Sequence, residues 1–158
     1  MDAKTVQVFV TAVDQVLSTL GGVHVVFKGQ VAKHRGTPLG DVTGVIDMST
    51  SLQAGSMALS FSKPLALAMS EKVLMHSAKK IDAEVQNLVG EVTNMVCGGA
   101  KHPLHEAGID IGFASPVVLT GRRKKVPHTN QREATVLTLE TSEGPLYVEL
   151  SLDYQLAA

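Results

Sequence analysis

Residues 82–101 read Asp82-Ala-Glu-Val-Gln-Asn-Leu-Val-Gly-Glu-Val-Thr-Asn-Met-Val-Cys-Gly-Gly-Ala-Lys101 and have the spacing of an amphipathic helix. At about 100° per residue, five apolar side chains share roughly 100° of arc and are expected to be buried: Val85, Leu88, Val89, Val92 and Val96. The outer face then carries Glu84, Asn87, Glu91, Asn94 and Gly98. Asp82 is a suitable N-cap, and Pro103 is expected to end or kink the helix near residue 101.

Two glycines stand out on the outer face of this helix. Gly90 and Gly98 lie about one turn before and one turn after Asn94. Each glycine costs a helix up to ~1 kcal/mol relative to alanine, so a merely solvated face would be more stable without them. They leave room for the backbone of a partner to come close. Packing against a neighbouring helix or a second copy of the chain is the simpler interpretation, and spacing alone favours it.

The pair Glu91-x-x-Asn94 holds a carboxylate and a carboxamide on one side of the helix. The carboxylate can pair with a cation on a partner, and the amide can hold a water at a defined angle. Phosphoryl transfer depends on positioning and charge stabilisation, and an amide side chain orients the attacking water in Ras-type GTPases. Such pairs are most often only solvated, and Glu84-x-x-Asn87 repeats the spacing. The motif by itself is therefore not specific.

Outward from this helix, the chain alternates between helical and strand patterns. Helices are expected at 5–20, where Gly21-Gly22 ends the first one, and at 65–76, opened by Pro64. Strands are expected at 23–31, 41–49, 53–62, 109–120, 134–140 and 145–153. The order is a helix and three strands, a short helix, then a helix and three strands again. It predicts an α+β fold with a largely antiparallel six-stranded sheet, two long helices and a short one.

Length and composition exclude several classes of protein. The chain has 158 residues, 44% of them apolar, which suits one domain spanning 1–158. Fourteen basic and fifteen acidic side chains give a net charge of −1, so nothing global indicates nucleic acid. No apolar run approaches the ~20 residues of a membrane span, and the first residues lack a secretory pattern. We therefore expect a cytoplasmic protein without membrane insertion.

Residues 89–101 resemble the signature helix of the CheC/CheX/FliY family of chemotaxis phosphatases. Members of that family carry a Glu-x-x-Asn followed by a stretch of small residues. Met95 and the small residues after it select Glu91 and Asn94 over the earlier pair. Pattern-level similarity continues in CheX-like order through 40–46, 55–61, 108–110 and the closing hairpin, so it covers nearly the whole chain. Where the family often has Gly-Asn-Ala, this chain has Gly98-Gly99-Ala100.

The resemblance implies a phosphatase that acts on the aspartyl phosphate of a CheY-type response regulator. Asn94 would enter the partner's active site and orient water for in-line attack, while Glu91 would pair with the partner's active-site lysine. The Mg²⁺ would be the ion held by the response regulator, so the chain would need no metal or cofactor of its own. The residues expected to border the docking surface are Asn87, Gly90, Met95 and Gly98.

Two further expectations come from the same resemblance. The first helix lacks the second Glu-x-x-Asn that CheC-like members usually carry, which favours a CheX-like homodimer with one site per chain. The alternative function is a non-catalytic module that docks a response regulator or a motor component on the same fold. The motor switch proteins of this broad family show that the fold also serves interaction alone.

Other candidate sites have weaker support. His102-x-x-His105 with Cys97 suggests zinc, but a fourth ligand is not evident and Pro103 disturbs helical presentation. No Cys/His/Asp constellation supports a nucleophile at Cys97. The basic run Arg122-Arg123-Lys124-Lys125 lies in a loop expected at 121–132. A solvated loop is the first interpretation of that run, ahead of docking to an acidic response-regulator surface and of nucleic-acid binding.

Overall fold

A computed structural model describes residues 1–34, 36–112, 114–130 and 133–156 of the chain. The helices and strands follow the predicted order. The described residues form three helices: α1 (Ala3–Gly21), α2 (Lys63–Leu74) and α3 (Ala83–Glu106). They also form six strands: β1 (Val26–Lys33), β2 (Val42–Asp47), β3 (Gly55–Phe61), β4 (Val117–Thr120), β5 (Ala134–Thr141) and β6 (Gly144–Leu152). Arg35, Phe113, Gln131 and Arg132, which fall in predicted loops and strands, lie outside the described residues.

The six strands form one sheet in the order β1-β5-β6-β3-β2-β4. Every neighbouring pair is antiparallel, which confirms the predicted α+β class. If each strand of the first half (β1–β3) is exchanged with the corresponding strand of the second half (β4–β6), the same order results, read from the other edge of the sheet. The first strand of each half pairs with the second strand of the other half, β1 with β5 and β4 with β2. The predicted repeat in the order of helices and strands therefore has a counterpart in the sheet.

The helix caps follow the sequence signals. Gly22 ends α1 in the left-handed conformation (φ 65°), as glycine allows. Asp82 caps α3, and its side chain accepts a hydrogen bond from the Val85 amide at 3.0 Å. His76, in the linker before α3, donates from Nε2 to Asp82 Oδ2 at 2.7 Å. The predicted starting point of α3 is thus confirmed.

The predicted end of α3 is wrong. The helix continues through Pro103 to Glu106, and Gly98-Gly99 lies inside it rather than at its end. Proline removes one backbone hydrogen bond, but Ala100 and Leu104 on either side of it are fully buried. Burial of these two side chains keeps the last turns against the core.

The predicted strand at 109–120 is shorter than expected. Of the described residues in this range, only Val117–Thr120 pairs in the sheet, with β2. The preceding residues bond elsewhere, because the Ile109 amide donates to the Leu104 carbonyl at 2.8 Å and the Gly112 amide to the Ser49 carbonyl at 3.0 Å. Residues 114–116 consequently run beside α3 before β4 begins.

Helix α3 lies very close to the sheet at one point. A Cβ built on Gly44 of β2 would lie 2.0 Å from Thr93 Oγ1, so only glycine fits beneath this turn of α3. Thr93 is fully buried and donates its hydroxyl to the Val89 carbonyl at 2.7 Å. This contact fixes the rotation of α3 and leaves the next residue, Asn94, on the outer face. No helix among the described residues has the length and apolar character needed to cross a membrane.

Candidate functional site on helix α3

The outer face of α3 presents the two predicted acting residues to solvent. All five residues of the predicted apolar stripe are buried, the most exposed being Leu88 at 7%. Glu91 and Asn94 are exposed on the opposite side. Within the described parts of the chain, neither side chain has a hydrogen-bond or ion-pair partner. The carboxylate and the carboxamide are therefore free to meet groups from outside the chain.

An open groove of about 660 Å³ runs beside these residues. One wall is α3 and the other is the segment that leads into β4. The groove is lined by Gln86, Asn87, Gly90, Glu91, Asn94, Ala114, Ser115, Pro116 and Val118. A smaller cleft of about 160 Å³ continues on the other side of Asn94, toward Gly98 and Lys101. Asn94 thus lies between two depressions, where a protruding loop of a partner has room on both sides.

The structure also separates the two Glu-x-x-Asn pairs. Glu84 lies toward the linker before α3, where its Oε2 is 3.5 Å from His76 Nδ1. Glu91 has no such neighbour among the described residues, and it shares the groove with Asn94. Asn87 lines the same groove one turn before Glu91, while Met95 is 40% exposed. Glu91 and Asn94 are therefore the pair whose side chains are both available to a partner.

The two outer-face glycines differ in their surroundings. Gly90 is buried, contrary to the prediction, and a Cβ there would lie 3.3 Å from Val118 Cγ2 and 3.9 Å from Pro116 Cγ. Its small size therefore accommodates the chain's own segment before β4. Gly98 is exposed, and a Cβ there would meet no described atom within 4 Å. Only at Gly98 does the described fold itself give no reason for glycine.

Sequence reasoning missed the second wall of the groove. It placed residues 109–120 in one strand, whereas Ala114, Ser115 and Pro116 face α3 across the groove. Pro116 carried the available signal, because proline lacks the amide that a strand inside a sheet needs. Tertiary packing decides which part of α3 this segment contacts, and the local sequence carries no sign of that contact.

The family model of the chemotaxis phosphatase CheX matches residues 42–140. The chain belongs to the CheX family. A CheC-like superfamily protein from Shewanella sp. PV-4 is 29% identical, with a TM-score of 0.87 over 98% of this chain and 100% of that one. The chemotaxis protein CheX from Vibrio vulnificus is 30% identical, with a TM-score of 0.83 over 96% and 100% of the two chains.

A third similar structure is the CheX-CheY-BeF3-Mg²⁺ complex from Borrelia burgdorferi. The matching chain is 18% identical, with a TM-score of 0.73 over 95% of this chain and 98% of that chain. At this identity the likeness shows a shared fold. A search of curated proteins gives no match.

In this CheX-family chain the two histidines near the end of α3 face different carboxylates. His102 Nε2 lies 2.9 Å from Glu106 Oε1, whereas His105 is hydrogen-bonded to Asp110, which raises the pKa of His105. Cys97 is buried, and that burial raises the pKa of its thiol. Across the described ranges, no group of three or more His, Cys, Asp or Glu side chains is placed to hold a metal ion. Cys97 and the two histidines do not form a common site.

The basic run follows β4 and is partly held by the fold. Arg122 Nη2 lies 3.2 Å from Asp41 Oδ1, and the next three side chains, up to Lys125, are exposed. None of the four lines the groove beside Asn94. A contact between this run and a bound response regulator remains a hypothesis.

Proposed function

We propose that this CheX-family chain hydrolyses the aspartyl phosphate of a CheY-type response regulator. The observation that carries the proposal is the pair Glu91 and Asn94, both exposed and unpartnered among the described residues, beside a groove of about 660 Å³. The family is that of a chemotaxis phosphatase. In addition, a chain with the same fold occurs in a complex with CheY, BeF3 and Mg²⁺.

Asn94 supplies the positioning of water in this mechanism. Its carboxamide enters the partner's active site and orients one water in line with the bond to be broken. A new bond forms between the water oxygen and phosphorus as the phosphorus–oxygen bond to the aspartate breaks. The products are inorganic phosphate and a free aspartate carboxylate. Positioning of this kind accounts for a large part of catalysis in phosphoryl transfer.

Glu91 supplies recognition in the same mechanism. Its carboxylate pairs with the active-site lysine of the response regulator and sets the register of docking. The Mg²⁺ belongs to the partner, where it offsets charge on the phosphoryl group. Asn87, Met95 and Gly98 border the contact, and Gly90 contributes by allowing the groove's second wall to approach α3.

The test is the decay of a phosphorylated CheY-type protein from the same genome. We expect the wild-type chain to accelerate decay, and Asn94→Ala to reduce that acceleration by about 100-fold or more while binding persists. Glu91→Ala should weaken binding by about tenfold or more, because it removes one member of a charge pair. Both variants should stay folded, since both side chains are exposed and without described partners.

Two matched variants serve as controls. Gln15→Ala removes an exposed amide from α1, and Glu71→Ala removes an exposed carboxylate from α2. Neither residue lines the groove, so both variants should accelerate decay as the wild type does. Acceleration that survives Asn94→Ala contradicts the assigned mechanism. Binding without acceleration by the wild type would mean that the chain is a docking module.

We further propose that the whole chain, 1–158, acts as one phosphatase domain and forms a cytoplasmic homodimer. The edge strand β1 supports a second copy, because Val26 and Val31 are 55% and 60% exposed there. An exposed strand edge of this kind is a template for pairing with another chain. Each chain of such a dimer carries its own α3 site.

A further inference from the structure

The sheet face opposite the helices carries a buried polar network. Glu149 of β6 is 3% exposed, and its two carboxylate oxygens accept hydrogen bonds from Lys33 Nζ at 2.8 Å and His128 Nε2 at 2.9 Å. The other ring nitrogen of His128 lies 2.7 Å from Ser56 Oγ. Burial alone raises the pKa of Glu149, but the bonds from His128 and Lys33 lower it overall, so the carboxylate is ionised.

This network lines one side of a half-enclosed cavity of about 260 Å³. The cavity lies between the end of β1, the residues just after it and the basic loop that follows β4. An apolar cavity of about 150 Å³ already accommodates benzene, so this one has room for a small molecule. The residues that line it include Lys33, Lys125 and Glu149. A cavity of this size is larger than the small voids of ordinary core packing.

The hydrogen-bonding groups of the cavity favour an anion. A lysine ammonium has three donor hydrogens, and that of Lys33 gives two of them, to the Thr37 carbonyl at 2.7 Å and to Glu149. The third donor hydrogen of Lys33 has no described acceptor. Lys125 also lines it and has no hydrogen-bond or ion-pair partner in the described part of the chain. Both oxygens of Glu149 already accept hydrogen bonds, which reduces what they could offer to a cation.

We propose that this cavity binds a small oxyanion, the phosphate or carboxylate group of a small molecule. Lys125 meets it from the basic loop, and the remaining donor of Lys33 meets it from β1. A bound anion would join the loop to the edge of the sheet. The site lies on the other face of the sheet from Asn94, so its occupancy is measurable without any response regulator and does not rest on the proposed function.

The test is a titration of the isotope-labelled full chain followed by the NMR signals of its backbone amides. Inorganic phosphate and acetate are added separately at constant ionic strength, with chloride as the reference salt. We expect saturable shifts of the Gly36 and Ala134 amides, both in the cavity wall. Saturation by phosphate, by acetate or by both identifies which oxyanion the cavity accepts. The absence of saturable shifts with either salt overturns the proposal.

A pair of neighbouring lysines provides the matched control. Lys125→Gln should weaken binding of the saturating anion by about tenfold, because it removes a charge-assisted hydrogen bond. Lys124→Gln removes the same charge from an exposed side chain outside the cavity wall and should change affinity by less than about twofold. If both variants weakened anion binding equally, the affinity would depend on net charge alone, and the proposed site would be overturned. Shifts centred on α3 instead of Gly36 would overturn it as well.

Discussion

At the scale of single residues, Gly98 is the position where the fold and the proposed function make opposite demands. A Cβ there would meet no described atom within 4 Å, and the residue is exposed on the face that carries Asn94. We expect Gly98→Ala to stabilise the protein by up to about 1 kcal/mol, because alanine is the better helix former. The same variant should weaken binding of a phosphorylated response regulator, because the added methyl group lies where the partner approaches.

Gly99→Ala is the matched control for this prediction. It offers the same gain in helix propensity, but its Cβ would lie toward α1, 3.4 Å from Ala12 Cβ, at ordinary contact distance. Denaturant unfolding measures the first effect, and titration calorimetry with the phosphorylated partner or its beryllium fluoride adduct measures the second. If Gly98→Ala binds as tightly as Gly99→Ala, the partner does not approach this turn of α3.

At the scale of the element, the start of α3 depends on an ion pair that responds to pH. The hydrogen bond to Asp82 raises the pKa of His76 above its usual 6.5, and the Val85 amide together with His76 lowers the pKa of Asp82 below 3.8. The contribution of His76 to the stability of the folded protein is therefore complete below about pH 6.5 and is lost as the pH rises through the raised pKa of His76. The contribution of Asp82 to stability is present above pH 3.8 and is lost only as the pH falls through the lowered pKa of Asp82.

We accordingly expect His76→Gln to lower the melting temperature more at pH 5.5 than at pH 8.0. Thermal unfolding followed by circular dichroism at the two pH values measures the difference. His24→Gln, at a far more exposed histidine that lies 3.4 Å from Asp14, is the control and should show less pH dependence relative to wild type. An equal loss at both pH values would mean that His76 acts through packing and not through its charge.

The elements also show which parts of the structure the sequence could predict. The side of α3 that carries Asn94 follows from a strong 3.6-residue apolar period, which one helix contains within itself. The end of α3 does not follow from the local sequence, because burial of Leu104 offsets the local effect of Pro103. The wall of the groove is equally nonlocal, since residues before β4 are drawn toward Gly90 by packing. The sequence therefore predicted which side of α3 carries Glu91 and Asn94, and it did not predict the surface opposite them.

At the scale of the whole molecule, the edge of the sheet at β1 predicts a dimer. Val26, Phe27 and Val31 are 55%, 39% and 60% exposed on this edge strand. Sedimentation equilibrium should give a mass twice the 16.7 kDa of one chain. The double variant Val26→Lys/Val31→Lys should dissociate it, because lysines on an edge strand oppose pairing with another strand.

Val117→Lys is the control on the opposite edge of the sheet. Val117 is 56% exposed on β4, so its replacement introduces a lysine on the other edge strand. This variant should remain dimeric. A dimer broken by Val117→Lys and unaffected by the β1 variant would place the interface at β4, and a monomer at every concentration would remove the dimer from the proposal.

The exchange of first strands between the two halves of the chain has a consequence for how the protein forms. β1 is made long before β5, its neighbour in the sheet that the described residues form. A growing chain on the ribosome therefore holds β1 unpaired until β5 has been synthesised. Such distant pairings slow folding at a given stability. Neither half forms the six-stranded sheet by itself, so the nascent chain depends on β5 to pair with β1.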